Sequence, residues 1–344
     1  MAIGATSSAP PVDAQALTRL SSSYAQARIL HSAVEVGLFE LLSQGPLNVD
    51  EIRTRLDLHP RLLRDFLDAV AALGLIRKEG AQYAIDPEAA RFLVPGGGPV
   101  YLGARIRTAA QRHYHTWGRL TDALRGGEPQ AGVGGDAFAT LYSNPEATRN
   151  FLIHMDANNG MVGPQLAEAV DWSAYQSFVD VGGARGNVAS HLVRKHPHLA
   201  GGVFELPAVR PFFEEYMAEL GLTGKVVFHG GDFFTAPMPA ADVLVFGHVL
   251  HDWSESDRQQ LLNRAYAALP PGGAVVVYDQ MLDEQAPDLR SLIGSLNVGL
   301  ITTGGSEYTV PECRVWVEKA GFAFASATRL ESGNDTVVVG VKQR

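Results

Sequence analysis

Two histidines three residues apart, His248 and His251, follow the apolar stretch Asp242 to Phe246, and Asp252 is next in the chain. An imidazole titrates near about 6.5. A positioned histidine can therefore take the proton of a hydroxyl with a pKa of about 10 as that oxygen becomes nucleophilic. His251 is the candidate base. Such a base needs a carboxylate to fix its tautomer and to stabilise the imidazolium that forms. Two acids stand at suitable places: Asp279 closes the apolar run Ala274 to Tyr278, and Glu307 follows the turn residues Gly304 and Gly305. The plain alternative for His251 is packing at a helix entry, since Asp252 to Asp257 reads as a helix start and most histidines in clefts are structural.

A base of this kind needs a reaction partner, and the stretch Ser177 to Asn187 offers a place for one. An apolar strand runs into a glycine turn that opens a helix over residues 188–196, stopped by Pro197. Gly182, Gly183 and Gly186 let the backbone take positive φ and bring its amides close to a ligand. A second strand, Ala200 to Phe204, ends in Glu205, placed as an acceptor for two ribose hydroxyls. Asp180 precedes the turn and would repel a pyrophosphate. It suits a nucleoside bearing a cation, which favours S-adenosylmethionine over a dinucleotide. A third strand, Lys225 to His229, leads into Gly230 and Gly231, then Asp232 to accept from an adenine amino group and Phe233 to lie on the ring face. A helix N-cap for Asp232 and core packing for the phenylalanines are the competing readings.

Val179 to Gly183, Phe204-Glu205-Leu206-Pro207, Gly231 to Phe234, Val249-Leu250-His251-Asp252-Trp253 and Gly304 to Thr309 follow in that order. In these motifs the chain resembles the small-molecule O-methyltransferases of the caffeic-acid and acetylserotonin type, in the branch found in bacterial natural-product pathways. The likeness covers nearly the whole length. It implies an α/β fold: a Rossmann-like seven-stranded methyltransferase domain behind an all-α winged-helix-like dimerisation domain. It implies that Glu307 and Asp279 flank the catalytic His251. The cofactor set would be Asp180, Gly182, Gly183, Gly186, Glu205, Leu206, Gly231, Asp232, Phe233, Gly247 and His248. Met155, Asn159, Asp252, Asn297 and Ile301 would line the acceptor pocket, ordinary core being the alternative for the apolar ones. Four positions depart from the family pattern: Ala184 replaces a third glycine, Glu205 an aspartate, Gly247 a lysine of plant members, and Asp279 a glutamate. The shorter acid at 279 would reach the imidazole through water or cap its strand. Some relatives of this fold use histidine-bound metal to methylate carbon, and His248 with His251 raises that rival. Asn297 and Thr303 stand where a third ligand would come, and no metal is expected.

The elements that must carry these groups follow from the rest of the chain. With 344 residues, 46% of them apolar, there is material for two domains and a sizeable core. We expect a dimerisation domain over 1–98, a helical connector contributing to the acceptor pocket over 99–170, and the cofactor-binding domain over 171–344. Apolar residues recur at helical spacing from Asp13 to Leu42, broken at Gly37. Helices at 49–57 and 61–73 and short strands Leu75 to Lys78 and Gln82 to Ile85 complete a winged helix. Such a module can bind DNA, with Arg61 and Arg64 as readers. A net charge of −9 and the neighbouring Asp65, Asp68 and Glu79 disfavour it, as they disfavour anionic membranes. Glycines 126, 127, 132, 134 and 135 predict a connector or lid, and 322–329 with 336–342 predict a strand pair closing the sheet. Cys313 is the one cysteine, so no intramolecular disulfide forms, which fits a reducing cytoplasm. The region Met1 to Val12 carries no signal-peptide pattern. The reading is a homodimeric methyltransferase acting on a hydroxyl, phenolic in the first instance, of an aromatic or polyketide metabolite. Carbon or nitrogen methylation and a non-catalytic binding protein are the rivals.

Overall fold

The computed structural model describes residues 13–97, 101–131, 141–331 and 334–344. The expected connector glycines 132, 134 and 135, the segment Met1 to Val12 and the turn residues 332 and 333 lie outside the described residues. The chain divides into two compact units, Met1–Gln111 and Arg112–Arg344.

In the first unit, Asp13 caps the helix Ala14–Glu35, and Gly37 at φ 75° turns the chain into the short helix Leu38–Leu42. Only the end of the long helix is covered: Ala33 and Val34 are buried, whereas Leu17, Leu20 and Tyr24 are 56%, 72% and 63% exposed. The apolar repeat of the sequence therefore continues onto a face that this chain leaves open. Asn48 and Glu51 exchange hydrogen bonds in a capping box that starts the helix Val49–Arg55. Pro60 opens the helix Pro60–Ala72, which buries Leu63, Leu67 and Val70 at helical spacing. Strands β1 (Leu47–Asn48), β2 (Ile76–Glu79) and β3 (Gln82–Ile85) pair antiparallel in the order β1-β3-β2 and supply the wing.

The second unit is built on seven strands: β4 (Ser177–Val181), β5 (Ala200–Glu205), β6 (Val226–Gly230), β7 (Val243–Gly247), β8 (Ala274–Asp279), β9 (Ala323–Arg329) and β10 (Thr336–Val341). Their order is β6-β5-β4-β7-β8-β10-β9, with β10 antiparallel to both neighbours and the rest parallel. Valines 243, 245 and 275 to 277 are wholly buried, as expected of strands covered on both faces. Several strand ends differ from expectation by a residue: β2 is shifted to Ile76–Glu79, and β5 and β8 take in Glu205 and Asp279. β6 runs on to Gly230, which pairs with Glu205. Asp242 stays outside β7 because its carboxylate accepts the N–H groups of Gln176 and Ser177 at 2.7 and 3.1 Å.

Successive strands leave β4 in opposite directions, β5 and β6 to one side and β7 and β8 to the other. This switch point opens a crevice beyond the carboxyl ends of the strands, where open α/β sheets bind ligands. The register brings the motifs to that edge: Val181 faces Phe204 and Phe246, Gly247 faces Tyr278, and Asp279 faces Thr336. The helix Pro145–Ala169, capped by Asn144, packs on the helix Asn187–Lys195 so closely that a Cβ at Gly163 would lie 2.6 Å from the His191 ring. Among the described residues no helix is long and apolar enough to cross a membrane.

Candidate active site

The glycine turn is shaped by positions that a side chain would disturb. Gly182 and Gly186 have φ of 72° and 87°, and a Cβ at Gly183 would meet the Asp180 carboxylate at 2.6 Å. Ala184, where the family carries its third glycine, is itself left-handed at φ 49°. That conformation costs an alanine roughly 1–2 kcal/mol. It turns the Ala184 N–H onto Glu205 Oε2 at 3.2 Å, while Oε1 accepts from the Leu206 N–H at 2.7 Å. The longer acid thus reaches back to the turn it serves. Gly231 donates to the Glu205 carbonyl at 2.9 Å, and a side chain there would strike the Phe204 ring. A Cβ at Gly182 would lie 2.8 Å from a Val249 methyl and 3.7 Å from the Phe233 ring, so the ends of β4, β6 and β7 converge on one small space. Phe233 is held edge-on by Phe234 and Trp253, at 5.1 and 5.9 Å between ring centroids. Asp232 caps its own turn, accepting from the Phe234 N–H at 2.8 Å and the Thr235 hydroxyl at 3.2 Å.

Electrostatics give this cradle a sign. Asp180 and Glu205 are buried, and among the described residues neither pairs with a lysine or arginine. Burial, and for Asp180 the nearby Glu205 charge, pushes both up to about 7. Burying carboxylates with no cation beside them is unfavourable, so a cationic ligand would relieve the site. The cradle therefore fits a positively charged ligand.

His251, the candidate base, stands at the next strand end, on a 3₁₀ turn Leu250–Asp252. His251 Nδ1 lies 2.8 Å from Glu307 Oε1 and 3.5 Å from Asp279 Oδ1. Facing carboxylate oxygens, Nδ1 donates, so in the neutral ring Nε2 is the nitrogen that can accept. Asp252 Oδ1 is 3.7 Å from Nε2. Burial opposes charging of the ring, but Glu307, Asp279 and Asp252 together outweigh it and hold His251 well above the usual histidine range. Asp279 is fully buried and accepts the Tyr308 hydroxyl; burial raises it above the usual carboxylate range. Asp279 Oδ1 and Glu307 Oε2 have no hydrogen-bond partner. One donor atom each from His251, Asp279 and Glu307 lies within 4.8 Å of the others, although the separation of Nδ1 from Glu307 is that of a hydrogen bond.

His248 is placed differently from a simple cofactor contact. Its backbone is left-handed at φ 52°, its Nε2 lies 2.6 Å from Asp335 Oδ1, and its ring stacks on His251 at 5.7 Å and 16°. Two parallel rings do not converge on one ion, so the histidine pair is not a chelate. Any side chain at Gly247 would overlap the Tyr278 ring, which fills the room that a lysine at that position would need. Tyr278 and Asp335 escaped the sequence reading; Asp335 is 87 positions from His248 and sits in an unremarkable hairpin.

On the acceptor side, Asn159 is buried with Oδ1 unsatisfied, and Met155 and Ile301 are half-buried. Asn297 Oδ1 accepts the Trp117 Nε1–H at 3.2 Å. The helix that carries it, Leu289–Ile301, also positions Glu307, since Ser295 Oγ accepts the Glu307 N–H at 3.1 Å. Beside Met155, Asp156 pairs with Arg185 of the glycine turn, a link that the sequence did not signal. Arg185 lies over the Tyr216 ring at 4.1 Å, and burial lifts Asp156 to about 6 despite its partner.

Comparison with known proteins agrees with this geometry. Residues 117–323 match the model of the O-methyltransferase domain, and residues 18–95 that of the O-methyltransferase dimerisation domain. The chain is 48% identical over 330 residues to the tetracenomycin polyketide synthesis 8-O-methyl transferase TcmO of Streptomyces glaucescens, covering 95% of this chain and 96% of that one. It is 44% identical over 338 residues to the N,N-dimethyltransferase OxyT of Streptomyces rimosus, covering 97% and 98%. Human N-acetylserotonin methyltransferase, solved in complex with SAM, superposes with a TM-score of 0.86 at 25% identity, covering 98% of this chain and all of that one. The fold and site define a methyltransferase. The chain belongs to the O-methyltransferase family, and the resemblance read from its motifs is borne out.

Proposed function

We propose that this protein transfers the methyl group of S-adenosylmethionine to a phenolic hydroxyl of a polyketide-type aromatic metabolite, with His251 as general base. The observation that carries the reading is the 2.8 Å contact between His251 Nδ1 and Glu307, which turns Nε2 to the acceptor's proton once the ring is neutral. Glu205, Phe233 and the backbone of 182–186 hold the donor, with the buried Asp180 carboxyl behind the turn. Bound there, S-adenosylmethionine supplies an electrophilic methyl group on a cationic sulfur. His251 Nε2 takes the acceptor's proton as its oxygen becomes the nucleophile, and Glu307 stabilises the imidazolium. The 48% identity to a polyketide O-methyltransferase supports this choice of acceptor.

The 44% identity to an N,N-dimethyltransferase favours an amine acceptor as the second reading. A neutral amine is already nucleophilic and needs a base only to remove its proton afterwards. Incubation with labelled S-adenosylmethionine and a panel of polycyclic phenols, aromatic amines and keto acids, read by mass spectrometry, separates the two. Label on a phenol oxygen is expected; transfer only to nitrogen or carbon would overturn the reading.

The dimerisation-domain match and the exposed Leu17, Leu20 and Tyr24 support a homodimer. Light scattering should give about twice the chain mass, and a strictly monomeric active protein would contradict it.

A further inference from the structure

We propose that Arg258 is a positioning residue that holds the base and its orienting acid in register. This rests on the functional reading above, in which His251 and Glu307 act as a pair. Arg258 is 3% exposed, in the first turn of the helix Glu255–Ala268. Its Nε donates to the Leu250 carbonyl at 2.8 Å. Its Nη2 donates to the Ser306 carbonyl at 2.6 Å, with Ser306 Oγ at 3.2 Å and the His251 carbonyl at 3.4 Å. The guanidinium faces the rings of Tyr308 and Trp316 at 4.7 and 5.1 Å, and among the described residues no carboxylate lies within ion-pair distance of it.

A buried guanidinium without an acid is costly to desolvate, and this one directs its donors at two backbone turns. One turn carries His251, the other Glu307. The Ser306 N–H on the His251 carbonyl at 2.8 Å also links the two turns. The planar fork holds both turns in one fixed geometry, which an ammonium on a flexible stem does not impose. Arg258 touches neither the imidazole nor the carboxylate, so its effect on catalysis runs through their separation. A displacement of the order of 1 Å at such a pair costs about 10²-fold in rate.

The test is a double-mutant cycle on the full-length enzyme with Arg258→Gln and Glu307→Gln, together with Arg258→Lys. Arg258→Gln is expected to lower kcat by about 10²-fold, with calorimetric affinity for S-adenosylmethionine and KM for the acceptor nearly unchanged. Arg258→Lys should show the same split. The double variant should be no slower than Glu307→Gln alone, because both changes break one unit. Near-normal kcat in a folded Arg258 variant overturns the proposal, as do losses that multiply in the double variant. If both Arg258 variants lose cofactor binding and unfold together, Arg258 is a staple of the fold and the assignment fails. Failure of the functional reading would appear elsewhere, as full activity in Glu307→Gln itself.

Discussion

Replacing His251 by alanine is expected to lower kcat by about 10²–10⁴-fold, the usual contribution of a positioned general base. Affinity for S-adenosylmethionine should be nearly unchanged. The cradle that would hold the donor depends on Gly182, Gly186, Glu205 and Phe233, none of which is hydrogen-bonded to the imidazole. Single-turnover rates and calorimetry on the same preparation measure the two quantities separately. Near-normal turnover in a folded variant would show that the acceptor sheds its proton unaided, and the base assignment would fail. An amine acceptor predicts a smaller loss, so the size of the effect also bears on oxygen against nitrogen.

The second large effect is that of Glu307→Gln, which should lower kcat by about 10²-fold and move the pH profile. Burial opposes protonation of His251, and the three surrounding carboxylates more than reverse that. The acid limb of kcat/KM should therefore lie above about 6.5, the ordinary value, because the base works only once it has lost its proton. Exchanging Glu307 for a neutral amide removes one raising charge, and the limb should shift to lower pH. Stability runs the other way. A histidine whose folded pKa exceeds its unfolded one stabilises the protein fully below about 6.5 and loses that contribution as pH rises through the folded value. Thermal unfolding should thus show a gap between wild type and Glu307→Gln that narrows with rising pH. A limb that stays in place would mean that Glu307 does not set the charge of His251.

Much of this was legible because it is local. Short apolar runs ending in glycine or an acid read as buried strands, and they bring Asp180, Glu205, Gly231 and His251 to one edge. What escaped reading depends on separations that no spacing encodes: Asp335 on His248, Tyr278 against Gly247, Asp156 on Arg185, and Arg258 across two turns. Side-chain competition was equally hidden. Asp232 offers an acceptor by type, and each of its oxygens also takes a hydrogen bond from its own turn. The N-terminal helix shows a related limit. Periodicity marks an apolar face, and Leu20 at 72% exposure shows that such a face need not be covered by the same chain.

The position of β10 has a consequence for how the molecule is made. It leaves the ribosome after β9 yet lies between β8 and β9, so the sheet cannot zip up in the order of synthesis, and β9 has no seat until β10 arrives. Asp335 comes with that same strand. A nascent chain can assemble its cofactor cradle early, but the histidine stack acquires its final brace only when this inner strand is inserted.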